Sequence, residues 1–137
     1  MKRRIIVTLL VLFLLFTVAA CGGASPGPAP PADAVQTIGQ GATTFRFEVT
    51  DPAEAVTAWD VSTDETTVGA ALLAVGLISG DESEWGLMVT TVNGITADWD
   101  ANQAFWAFYI DGDFAMAGAD ATDIEPGVTY AFVYTAG

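Results

Sequence analysis

The chain has 137 residues, 52 % of them hydrophobic, and its 17 acidic and 4 basic residues give a formal net charge of −13. Polyanions would be repelled by so acidic a chain, which excludes binding to nucleic acid and to acidic lipid surfaces. The chain has no His and one Cys, which excludes zinc or copper sites built on His and Cys, internal disulfides and His- or Cys-based nucleophilic catalysis.

The first 20 residues have the pattern of an export signal. Three basic residues at positions 2–4 precede the uncharged run Ile5 to Ala20. Val18-Ala-Ala-Cys21 then resembles a bacterial lipobox, in which small residues precede a lipidated Cys. We predict a signal peptide at 1–20 and a lipid on Cys21 that anchors the protein to a membrane, at the cell surface or in the periplasm. The alternative is an uncleaved anchor, for which the run is short of about 20 apolar residues.

A tether is predicted at residues 21–41. It contains the Pro- and Gly-rich stretch GGASPGPAPP at 22–31, whose composition cannot build a core and favours an extended linker. The compact domain is predicted over residues 42–137. Without the first 20 residues, Arg46 is the only basic residue and the net charge falls to −16. This acidity is either an adaptation to high salt or the composition of the lineage, and the even spread of acids favours the second.

The first half of the domain predicts two strands and a helix. Apolar and polar residues alternate over 44–50, as in a half-buried strand, and a second extended segment follows at 55–61. Thr66 or Thr67 can cap a helix that Gly76 can end. Its apolar residues recur at helical spacing: Val68, Ala71, Leu72 and Val75.

The second half predicts mainly strands. An acidic loop at 81–84 precedes extended segments at 85–92 and 95–99, which flank Asn93-Gly94, a strong hairpin signal. A fully apolar strand at 104–110 ends in a tight turn, and a last strand covers 128–134. One helix among several strands indicates an α+β domain with a mixed sheet and one packed helix.

Four segments, taken in order, resemble a known family. They are TTVGAAL at 66–72, WGLMVTTVNGI at 85–95, FWAFYIDG at 105–112 and VTYAFVY at 128–134. Their order is similar to the C-terminal domain of transcobalamin and intrinsic factor and to the bacterial domains of unknown function grouped with it. The resemblance implies a β-grasp-like fold that binds a soluble ligand. In the vitamin carriers this domain supplies one face of a cobalamin cleft, and a helical domain supplies the other.

Aromatic residues are the main candidates for ligand contacts. Strand 104–110 is apolar on both faces and one helix covers only one of them, so a loop, a ligand or a partner should cover the other. The predicted ligand-binding face consists of Trp85, Met88, Trp99, Trp106 and Tyr109. For Trp106 and Met88 the alternative is core packing. A cobalamin-like corrinoid is the first ligand to test. The alternative function is a protein-interaction or structural module of the cell envelope that docks to an exported protein partner.

Acidic residues give two further candidates. Asp98, Asp100 and Asn102 offer oxygen ligands at alternate positions, as a calcium-binding EF-hand loop begins. Gln103 stands where that loop needs Gly, and Tyr109 where it needs Glu, so the alternative is a solvated acidic loop and no metal site is predicted. Catalysis by a carboxylate pair is the other candidate. Close pairs arise by chance among 17 acids and no companion base stands out, so no enzyme activity is predicted.

Overall fold

The computed structural model describes residues 35–137. The predicted signal peptide, Cys21 and residues 22–34 of the predicted tether lie outside this range. In chain order the elements are β1 (Gln36–Gly39), β2 (Thr43–Thr50), β3 (Val56–Thr63), α1 (Val68–Ala74), β4 (Ile78–Ser83), β5 (Gly86–Val92), β6 (Ile95–Thr96), α2 (Trp99–Asn102), β7 (Ala104–Ile110), β8 (Asp113–Phe114), a 3-10 turn (Ala119–Ala121) and β9 (Thr129–Ala136).

The strands form two sheets. The large sheet has the order β1-β3-β2-β9-β7-β8, and the small sheet has the order β4-β5-β6. In the large sheet β9 runs parallel to β2, whereas β3 is antiparallel to β2 and β7 is antiparallel to β9. The sheet is therefore mixed, and the predicted α+β class with a mixed sheet and one packed helix is confirmed.

The helix α1 forms where the apolar spacing predicted it. The Thr67 hydroxyl accepts a hydrogen bond from the Ala70 amide at 3.3 Å, which satisfies one free amide of the first turn. Val68, Ala71 and Leu72 are buried against the sheet. Gly76 follows the helix with a φ of +72°, a left-handed conformation that Gly adopts at little cost.

The core lies on one face of the large sheet. Its central side chains alternate along the strands, as a strand with one buried face requires. Phe47 of β2 stacks on Trp59 of β3, with ring centroids 5.9 Å apart, and Phe132 of β9 meets Phe47 edge-on. Fully burying each such side chain contributes about 1.5–3 kcal/mol, so these aromatic residues dominate the stability of the domain.

Three elements differ from the sequence prediction. β1 lies within the segment predicted as tether and pairs in parallel with β3. β4 includes residues 81–83 of the predicted acidic loop at 81–84 and is held by antiparallel pairing with β5. Its side chains beyond Ile78 are exposed, so no alternation marks it as a strand. The predicted strand 95–99 ends after Thr96, and a single helical turn takes over at Trp99.

No helix within residues 35–137 has the length and apolar character needed to cross a bilayer.

Candidate ligand-binding cleft

A cleft of about 300 Å³ opens between the small sheet and the start of β7. Its walls are Asp81 of β4, residues 88–90 of β5, the segment 97–100 that leads into α2, and residues 104–105 at the start of β7. Four segments of the chain, all within residues 81–105, therefore meet at one opening. The volume is at the small end of the range for ligand pockets, roughly 300–1,000 Å³.

The local structure of α2 presents Trp99 to the cleft. The Asp98 carboxylate accepts hydrogen bonds from the amides of Asp100 at 2.8 Å and Ala101 at 3.0 Å, which caps the turn. Gln103 ends it in a left-handed conformation, with a φ of +51°. Trp99 is the first residue of this short turn, and 58 % of it remains exposed. Trp99 is thus held by the backbone on both sides of it.

Two more apolar side chains accompany Trp99. Phe105 lies with its ring centroid 6.5 Å from that of Trp99, and it is 43 % exposed. Met88 on β5 lines the same cleft and is 60 % exposed. Burying these surfaces would be favourable in proportion to their apolar area. The cleft can therefore gain free energy by taking up an apolar or aromatic group.

Carboxylates surround this apolar surface. Asp81, Asp98 and Asp100 all line the cleft and all are exposed. Arg46 is the only basic side chain in residues 35–137, and its Nε lies 2.8 Å from Asp60 Oδ1. The cleft acids therefore have no basic partner among the described residues, and their field is negative at the opening.

The five predicted ligand residues fall into three places. Met88 and Trp99 come together in the cleft. Trp85 is 90 % exposed on the turn between β4 and β5, and it is not part of the lining. Trp106 is only 7 % exposed and belongs to the core. Tyr109 is half-buried and packs edge-on against Phe114, away from the cleft, with ring centroids 5.7 Å apart.

The sequence did not single out Phe105 as a site residue. Alternation along strand 104–110 does place Phe105 on the opposite face from Trp106, so its exposure was predictable. Its proximity to Trp99 was not, because it depends on the turn of α2, of which only the first residue, Trp99, lay in a predicted strand.

Two oxygens of the calcium candidate are engaged in local structure. Asp98 Oδ1 caps α2, and Asn102 Oδ1 accepts the Asp98 amide at 2.9 Å. Asp100 lies in the first turn of the same helix. Across residues 35–137 no three side chains of His, Cys, Asp or Glu are grouped so that they can hold a metal ion.

The family described as "Domain of unknown function (DUF4430)" matches residues 65–136, which is more than half of the chain. The protein belongs to the DUF4430 family. The DUF4430 match begins just before α1 and includes every residue of the cleft. No curated protein matches the chain significantly.

Several solved structures resemble this DUF4430 protein. A proposed metal-binding protein from Ruminococcus gnavus ATCC 29149 is 26 % identical, with a TM-score of 0.66 over 70 % of this chain and 99 % of the other. Haptocorrin in complex with Cbi is 16 % identical, with a TM-score of 0.52 over 72 % of this chain. The match spans 26 % of haptocorrin, so the chain corresponds to about a quarter of that protein. At this identity the likeness to haptocorrin shows a shared fold, which supports the transcobalamin-like resemblance at that level.

Proposed function

We propose that this protein is an exported lipoprotein whose DUF4430 domain binds a soluble ligand in the cleft without catalysing a reaction. The observation that carries the proposal is the exposure of Met88, Trp99 and Phe105 around one opening. Large apolar side chains that gather at a concave, polar-rimmed site are typical of ligand-binding surfaces.

Binding without catalysis fits the chemistry of the lining. The ionisable side chains of the cleft are Asp81, Asp98 and Asp100, and Asp98 also caps α2. No His, Lys or Cys occurs in residues 35–137, so the cleft has no nitrogen base or thiol nucleophile.

A corrinoid is the first class of ligand to test. Haptocorrin shares the fold and its structure contains Cbi. The flat face of a corrin suits contacts with aromatic and apolar side chains such as Trp99 and Met88. With about 300 Å³ available, the cleft would receive one side of such a ring and leave the rest outside.

Export and anchoring are part of the proposal. The signal peptide at 1–20 and the lipid on Cys21 would hold the domain at the outer side of a membrane. Fractionation tests this directly: the native chain should stay with the membrane fraction, whereas a Cys21→Ser variant should lose the lipid mass and leave that fraction.

Calorimetric titration tests ligand binding. The full chain, held in phosphatidylglycerol nanodiscs, is titrated with cyanocobalamin and with cobinamide, and empty nanodiscs give the background. Saturable heat that Trp99→Ala removes and Trp85→Ala keeps supports a corrinoid site in the cleft. Trp85→Ala is the matched control, because Trp85 is exposed but does not line the cleft. Flat titrations with both corrinoids would contradict the corrinoid proposal.

The second candidate function is docking to another exported protein. Phe114 of β8 is exposed and contacts Tyr109, which lies on the same face of the large sheet as Phe105. Exposed aromatic residues of this kind are enriched at protein interfaces. If corrinoids give no heat, the unaltered chain and a Phe114→Ser variant are each used to capture proteins from the native envelope. A partner that binds the unaltered chain and is lost from the variant favours docking.

A further inference from the structure

We propose that the cleft selects a compact organic cation, an alkylammonium group, as the part of the ligand that it encloses. This inference rests on the proposed ligand-binding role of the same cleft. The fold likeness to haptocorrin suggests a corrinoid, whereas the side chains of the cleft itself favour a cation.

The first step concerns charge. Asp81 on β4 and Asp98 and Asp100 at α2 approach the cleft from two different elements. The side chains of Asp81 and Asp100 make no hydrogen bond or ion pair with the described residues, whereas Asp98 uses Oδ1 alone to cap the helix. Arg46, the only basic residue in this range, is already paired with Asp60. A cation supplied from outside is therefore the complement that the cleft lacks.

The second step concerns the apolar wall. Trp99, Phe105 and Met88 present aromatic and thioether surface beside those carboxylates. A bare metal ion would gain no binding free energy from such a wall, because hard cations are coordinated by several oxygen ligands. An ammonium that carries methyl or methylene groups gains from both surfaces, since the aromatic ring attracts its charge and the apolar wall covers its carbon atoms.

The third step concerns size. The cleft holds about 300 Å³ and remains open to solvent at its acidic rim. This space suits one compact head group and leaves any larger attached part outside. An anion is disfavoured by all three carboxylates, and a neutral group of the same shape would use only the apolar wall.

A pair of probes with the same shape and different charge tests the inference. Choline and its uncharged isostere 3,3-dimethylbutan-1-ol are titrated separately into the full chain in phosphatidylglycerol nanodiscs, which contain no choline head group. Binding is followed by calorimetry and by Trp fluorescence, with empty nanodiscs as background. We expect choline to bind at least tenfold more tightly than the isostere, and its affinity to fall as the salt concentration rises.

Variants locate the effect. Asp81→Asn and Asp100→Asn should each weaken choline binding roughly two- to fivefold, the range for exposed ion pairs. Asp113→Asn is the matched control, since it makes the same charge change at an exposed residue of β8 that does not line the cleft. Trp99→Ala should weaken binding roughly three- to thirtyfold, and Trp85→Ala should leave it unchanged.

The outcomes separate this inference from the proposed function. Equal affinity for choline and the isostere, or an equal loss in Asp113→Asn and Asp81→Asn, overturns the cation inference. Absence of choline binding together with Trp99-dependent corrinoid binding overturns it and leaves the proposed ligand-binding function standing. Absence of binding by choline and both corrinoids overturns the two together.

Discussion

The indole Nε1 of Trp106 donates a hydrogen bond to the backbone carbonyl of Ile95 across 3.2 Å. Trp106 lies in β7 of the large sheet and Ile95 begins β6 of the small sheet, so this bond joins the two sheets. Tyr134 packs edge-on against the same indole, with ring centroids 5.4 Å apart. One buried side chain therefore fixes how the walls of the cleft stand relative to each other.

Replacing Trp106 should destabilise the domain strongly. Trp106→Ala removes a buried indole and leaves a cavity, which costs about 3–5 kcal/mol of the free energy of unfolding. Urea unfolding followed by circular dichroism measures the loss. Trp85→Ala is the control and should change the stability by less than about 0.5 kcal/mol, because Trp85 is exposed. Equal stability of the two variants would show that Trp106 is not a core residue.

Asp98 should matter to the shape of the cleft through its capping of α2. Asp98→Ala removes the acceptor for the amides of Asp100 and Ala101 and should cost about 1 kcal/mol. Asp98→Ser keeps a capping oxygen and should recover most of that loss. Chemical denaturation gives the stability of each variant. If Asp98→Ala and Asp98→Ser lose the same amount, the carboxylate does not act as a cap.

The sequence predicted those parts of the fold that depend on local pattern. Alternation found β2, apolar spacing with Thr67 found α1, and Asn93-Gly94 marked the turn before β6, where both residues have positive φ. β1 and β4 were not predicted as strands, because their side chains are mostly exposed and their stability comes from pairing with β3 and β5. Such pairing is a tertiary effect that no short window of sequence contains.

In the cleft, too, the sequence predicted some residues and the tertiary structure was needed for others. Met88 and Trp99 were predicted as ligand-binding residues from their residue type, and the structure brings these two together. Phe105 joins them because the chain leaves the predicted strand after Thr96 and Asp98 caps a helical turn that begins at Trp99. Trp106 has the same aromatic character but lies on the other face of β7, where packing governs its position. Residue type thus identifies candidates, and the topology decides which of them meet.

Tyr130 should make the domain less stable above pH 10. Burial raises the pKa of Tyr130 above 10.0, and the carboxylates of Glu125, Asp111 and Asp123 add to the rise, while its bond to the Glu125 backbone opposes it. Below pH 10 the phenol is protonated in both the folded and unfolded states. As the pH rises from there towards the folded pKa, the unfolded state loses its proton first, so stability falls.

The variant Tyr130→Phe tests this assignment. It removes the hydroxyl that accepts the Glu125 amide at 2.9 Å and donates to the Asp123 carbonyl at 3.2 Å, which should cost about 1–2 kcal/mol at pH 7. Urea unfolding between pH 7 and pH 11 should show a smaller decline for the variant than for the native chain. Identical slopes would assign the alkaline loss of stability to other groups.

Calcium should not stabilise the domain. Asp98 Oδ1 and Asn102 Oδ1 already accept backbone amides, so a cation at these two oxygens would compete with those hydrogen bonds. We expect the melting temperature to change by less than about 1 °C at millimolar Ca²⁺, since a ligand that binds the folded state raises it measurably. Differential scanning calorimetry measures the melting temperature with Ca²⁺, and with Mg²⁺ as the control. A selective rise with Ca²⁺ would restore the calcium interpretation of Asp98, Asp100 and Asn102.

Shortening the chain to begin at Ala42 should weaken the fold without abolishing it. The change removes β1, whose register sets Ile38 opposite Val61 of β3. Ile38 packs on the core while remaining partly exposed, so its loss should cost about 1–2 kcal/mol, less than the value for a fully buried side chain. The control is a chain that begins at Val35 and keeps β1. Urea unfolding compares the two chains under the same conditions.

The control also locates the start of the domain. If the chain from Val35 is as stable as the full chain and the chain from Ala42 is less stable, the folded unit begins at β1 and the tether is correspondingly shorter. The central pairing of β2 with β9 lies elsewhere in the sheet, so either chain should keep the cooperative unfolding of a single domain. Equal stability of the two shortened chains would mean that β1 adds an edge strand without strengthening the core.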